Sequence, residues 1–98
     1  MPSDRLAQAI QQLSDAGASL RCDEMRQLLT GLGFSVRAGK KPGHKVVTHP
    51  QLPGFYSASY TCGHGSNPEV KPAYIKAIRK VLLRHEQALS DLEKEAEP

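Results

Sequence analysis

No acidic residue occurs between Glu24 and Glu69, and that gap is the most informative absence in the sequence. Arg26, Arg37, Lys40, Lys41 and Lys45 fall inside it with His44, His49 and His64. Lys71, Lys76, Arg79, Lys80 and Arg84 follow soon after. The sign then reverses: Glu86, Asp91, Glu93, Glu95 and Glu97 face Lys94 alone. A basic body with an acidic tail suits an anionic partner, although charge runs often serve only as a solvated surface. Long apolar runs are also missing, which excludes a membrane-spanning helix. The start, Met-Pro-Ser-Asp, has neither the basic residues nor the apolar middle of a secretion signal. Cysteine is scarce. Cys22 and Cys62 can pair only with each other and lack metal-finger spacing, so the expectation is a cytoplasmic protein with reduced thiols. No internal repeat or low-complexity segment appears. With 98 residues the chain is long enough for one domain, but not for a deep enclosed cavity.

What is present begins with two helical patterns. Leu6, Ala9, Ile10 and Leu13 give a thin apolar stripe from about Asp4 to Asp15, with Ser3 as a possible cap. Such a short helix must pack on something to persist. A second helix is predicted over Asp23–Leu32, with Asp23 and Glu24 complementing its dipole and Gly33 as its stop. Met25, Leu28, Leu29 and Leu32 form its buried stripe.

The period then falls to two. Phe34, Val36 and Ala38 alternate with polar neighbours as a first strand, and Lys45–His49 reads as a second. Pro50-Gln-Leu-Pro-Gly54 is a turn, and Phe55–Cys62 a third strand. Tyr56, Ala58, Tyr60 and Cys62 are its expected core face, with Cys62 a packed thiol. Turns this tight imply antiparallel pairing. A long helix is predicted from about Pro72 to Glu93. Val70, Tyr74, Ile78, Val81, Leu82, His85, Leu89 and Leu92 carry its stripe, while Lys76, Arg79 and Lys80 lie off it. The fold class is therefore α+β. Two helices cover one face of a three-stranded antiparallel sheet in the order α-β-β-β-α, with an extra N-terminal helix. Residues 1–20 read as an extension and residues 21–98 as the domain.

The chemistry concentrates in Arg37-Ala-Gly-Lys-Lys-Pro-Gly-His-Lys-Val-Val-Thr-His49. Gly39 and Gly43 allow positive φ and close backbone approach, and Pro42 stiffens the loop between them. Lys40, Lys41 and Lys45 surround His44, the side chain best suited to moving protons near neutral pH. Such a turn suits a phosphodiester backbone. On these residues alone, His44 reads more simply as a loop histidine that contacts backbone or phosphate. Gly63-His-Gly could present His64 to phosphate at a helix start, but ordering its own turn is the simpler role. His49 and His85 are expected to be structural. A zinc site on Cys62 and His64 is rejected, since Cys22 with His44 or His49 makes a poor second pair.

Three blocks together resemble the HicA family of toxin–antitoxin modules. Glu24-Met-Arg-Gln-Leu-Leu-Thr-Gly-Leu-Gly-Phe-Ser-Val-Arg37 is similar to the family's first helix and first strand. Gly39 to Pro50, with Gly-His-Lys-Val-Val-Thr-His-Pro, is similar to its active-site turn and second strand. His64 to Ile78 is similar to the segment that opens its last helix. The resemblance covers roughly Cys22 to Leu83. It implies a double-stranded-RNA-binding-domain-like (dsRBD-like) fold and ribosome-independent cleavage of mRNA without metal or cofactor. It also implies a HicB-like antitoxin as protein partner and His44 as the catalytic group. The family usually has Ser or Thr where this chain has Gly43, a departure that bears on cleavage more than on binding.

The sharp expectation is an mRNA interferase, an endoribonuclease in which His44 deprotonates the RNA's own 2′-hydroxyl while lysines offset charge on phosphorus. Candidate RNA contacts are Arg37, Lys40, Lys41, Gly43 and Lys45 from the turn, with Lys71 and Lys76 near the last helix. The alternatives are a non-catalytic RNA-binding module of dsRBD type and a protein that merely docks an acidic antitoxin.

Overall fold

The computed structural model describes residues 4–16, 20–63 and 68–96. Helix α1 (Asp4–Ala16) and helix α2 (Cys22–Gly31) precede strands β1 (Ser35–Ala38), β2 (His44–Thr48) and β3 (Ala58–Thr61). Helices α3 (Pro72–Arg84) and α4 (Glu86–Ala96) complete the chain. The strands form one antiparallel sheet in the order β1-β2-β3. The architecture is α+β, as the switch in apolar period implies.

Alternation sorts the sheet into two faces. Val36, Ala38, Lys45, Val47, Ala58 and Tyr60 share one, and α2 and α3 pack on that side, burying Val47 and Tyr60. Ser35, Arg37, His44, Val46, Thr48, Ser59 and Thr61 share the other. The first helix does not stand apart. Leu6, Ala9 and Leu13 are buried in the same core as Met25, Leu29 and Ile78, and α1 rests on α3 and α4. Arg5 also donates to the carbonyl of Gly31 at 3.2 Å, placing a cation at the end of α2 where the dipole favours it.

Four expectations need correction. The third strand is shorter than Phe55–Cys62, because residues 50–57 make turns and an irregular run before pairing begins at Ala58. Tyr56 therefore escapes the core face and is 93% exposed, while Tyr60 and Cys62 are buried as expected. The long helix is broken at His85, which has φ −107° and ψ 20°. No Gly or Pro marks that break. Tertiary packing supplies it, since α4 contacts both α1 and α3. Ile75, absent from the expected stripe, is fully buried at its centre with Ile78 and Leu82.

The fourth correction concerns the thiols. Cys22 and Cys62 form a disulfide that spans 40 residues, with Cα atoms 5.8 Å apart. Its physical reason lies in the backbone around it. Cys22 donates its N–H to the Pro68 carbonyl at 2.9 Å, and Val70 donates to Leu20 at 2.8 Å. Gly63 donates to Glu69 at 2.9 Å, and a β-bridge joins Cys62 to Val70. Residues 68–70 thus lie between the two cysteine-bearing segments and stitch them together. An Arg21–Glu69 ion pair at 3.3 Å closes the same junction from its exposed side.

Candidate functional site

The β1–β2 turn is shaped by two glycines with different tasks. Gly39 donates its N–H to the His44 carbonyl at 2.7 Å, and His44 donates its own to Lys41 at 3.1 Å. A methyl group on Gly39 would strike the His44 ring, so the missing side chain is the space the imidazole occupies. Gly43 has φ +80°, and a Cβ there would lie 2.6 Å from the Cys62 carbonyl oxygen. Its own carbonyl accepts the Cys62 N–H at 2.8 Å. Only glycine fits this position. The disulfide junction and the histidine turn are consequently adjacent along one backbone.

His44 emerges half-buried on the open sheet face and borders a groove of about 810 Å³. Lys40 and Lys41 border the same groove from the turn, and Gly39, Ala38 and Val46 supply its small and apolar surfaces. Thr61 and Tyr74 complete it. Thr61 stands opposite His44 in the β2–β3 register, and Tyr74 comes from the first turn of α3. An imidazole, two ammonium groups, a hydroxyl and a phenol therefore line one depression.

The remaining expected contacts separate from it. Arg37 lies exposed on the open face, outside the groove lining. Lys45 pairs with Ala38 and Tyr60, so it belongs to the face opposite His44. Lys71 is the exposed residue that caps the start of α3, and Lys76 is exposed along that helix. Gly43 is a backbone requirement of the turn, which leaves it no side chain to offer a ligand. His64 lies outside the described residues.

Two groove residues with hydroxyl groups are not legible as such in the sequence. Thr61 carries no functional signal in the sequence, and only the register places it across from His44. Tyr74 reads as part of an apolar stripe, and it sits at that stripe's half-buried edge.

The other described histidines have different surroundings. His49 packs edge-on against Phe34 with ring centroids 4.8 Å apart, and its Nδ1 accepts the Gln51 N–H at 3.1 Å. Burial pushes its pKa below the usual 6.5, against a weaker opposing effect of a hydrogen bond to the Leu32 backbone. His85 packs against Phe55 at 5.6 Å. Tyr60, whose hydroxyl is buried without a hydrogen-bond partner, is pushed up to about 12, chiefly by desolvation. Among the described residues no three His, Cys, Asp or Glu side chains converge as a metal site. No helix described is long and apolar enough to cross a membrane. Comparison with protein-family models, curated proteins and solved structures finds no match for this chain.

Proposed function

We propose that the chain is a HicA-like endoribonuclease with a dsRBD-like fold, acting on mRNA and restrained by an acidic, HicB-like antitoxin. The observation that carries this reading is the shared groove of His44, Lys40 and Lys41. RNA brings its own nucleophile. His44 takes the proton from a 2′-hydroxyl, whose oxygen attacks the adjacent phosphorus as the bond to the 5′-oxygen breaks. The products are a 2′,3′-cyclic phosphate and a 5′-hydroxyl, and the leaving oxygen draws its proton from water admitted by the open groove. Lys40 and Lys41 offset charge on the phosphoryl oxygens.

Gly43 bears on the runner-up. The hydroxyl usual before the family's histidine has no room here, because its Cβ would collide with the Cys62 carbonyl. That favours a module that binds RNA without cutting it. Thr61 offers a counterweight, since it brings a hydroxyl to the groove from the neighbouring strand.

The test is to incubate purified protein with RNA in EDTA. The expected result is fragmentation by the wild type, loss of it in His44→Ala, and RNA affinity nearly unchanged by the substitution. Salt-sensitive binding without cleavage selects the non-catalytic module. Absence of any such binding leaves only the antitoxin-docking role.

A further inference from the structure

The groove is asymmetric in chemistry as well as in origin. The β1–β2 turn supplies Lys40, Lys41 and His44, groups that address an anion and a proton. Helix α3 supplies one aromatic ring, and the strands add Ala38 and Val46. Tyr74 leans on the core. It is half-buried against the core, and its backbone N–H donates to Lys71 at 2.9 Å in the first turn of the helix. A ring held this way loses little freedom when something lies against its remaining surface. Two cationic groups and an aromatic ring within one depression match a nucleotide, which has a phosphate at one end and a flat π-face at the other.

We infer that Tyr74 is a base-stacking residue, so that the groove takes an unpaired segment of RNA instead of a duplex. The inference rests on the reading of the groove as an RNA site and narrows it. In an A-form duplex each base is already stacked on its neighbours, and proteins meet it through shape, phosphates and 2′-hydroxyls. A single aromatic ring has nothing to gain from such a partner. Splayed bases of a loose strand do offer a free face, and stacking on an aromatic side chain is how many single-strand binders hold them. A loose strand also lets the 2′-hydroxyl swing into line behind phosphorus, as the attack requires.

The experiment measures binding of a short fluorescein-labelled 2′-O-methyl RNA, which lacks the nucleophile and stays intact. The same strand is also presented annealed to its complement. Wild type is expected to prefer the single strand. Tyr74→Leu should weaken single-strand binding about fivefold or more, with duplex binding changed by less than about twofold, and Tyr74→Phe should keep wild-type affinity for both. Tyr56→Leu, which alters an exposed tyrosine outside the groove, should change neither. Should Tyr74→Leu unfold, Tyr74→Trp reports instead, since the chain has no other tryptophan and stacking should quench its emission on the single strand. Equal losses on both forms, indifference to Tyr74, a tighter duplex or an unquenched tryptophan overturns the inference. Lys40→Ala and Lys41→Ala separate the two levels. Lysine-dependent binding that ignores Tyr74 removes only the stacking role, whereas binding that also ignores both lysines removes the groove reading beneath it.

Discussion

The two ends of β2 carry the same side chain in opposite circumstances. His44 opens the strand over a glycine, half-buried beside Lys40 and Lys41 in a groove. His49, just past the other end, is wedged edge-on against Phe34, which in turn meets Phe55 at 5.6 Å. At one end the surroundings leave an imidazole accessible to an anion. At the other they partly bury the ring and disfavour its charged form. Residue type is thus a poor guide to role, and the neighbours decide it.

The difference can be sharpened first at the disulfide, which anchors the His44 end alone. Closing a loop across 40 residues contributes about 4 kcal/mol in the chain-entropy account. A Cys22→Ala, Cys62→Ala variant should therefore melt well below the oxidised wild type, and reductant should bring the wild type down to match it. Melting unaffected by reductant would contradict the structural role of the bond. Next comes Gly43→Ala. With φ +80° and the Cys62 carbonyl in the way, the substitution should cost roughly 1–3 kcal/mol. It should also depress cleavage by displacing His44, while the near-ultraviolet signal of the Phe34–Phe55 end stays as in wild type.

The smallest effect belongs to the other end. His49 has a pKa lowered by burial, so the unfolded chain takes up a proton at higher pH than the folded one. Its contribution is complete above about pH 6.5 and is lost as the pH falls from there through the folded value. Melting temperature should decline over that acid range, and His49→Gln should flatten the decline even though it lowers stability overall. An identical slope in the variant would assign the pH dependence elsewhere.

The sequence made some of this visible and concealed the rest for physical reasons. Helices α1 and α2 and the antiparallel sheet follow from local periodicity, and the lysines around His44 are neighbours in the chain. Alternation gives Tyr56 the pattern of a core residue, but Pro53 and Gly54 keep that segment out of the sheet. The break at His85 has no local signal, since it answers to α1, far away in sequence. Cys22 and Cys62 come together through residues 68–70, a contact no spacing rule announces. Thr61 and Tyr74 reach the groove by register and helix placement. Lys45, beside His44 in the chain, is directed away by the alternation that aims His44 outward.

The central proposal is that the imidazole beside Lys40 and Lys41 at one end of β2 does chemistry that the one packed on Phe34 at the other end does not. The direct measurement is the initial rate of RNA fragmentation in EDTA for the wild type, His44→Gln and His49→Gln, each assayed where it is folded. The account predicts a loss of about 10²–10⁴-fold for His44→Gln and a rate within about threefold of wild type for His49→Gln. Equal rates in all three proteins, or a greater loss from His49→Gln, would contradict it.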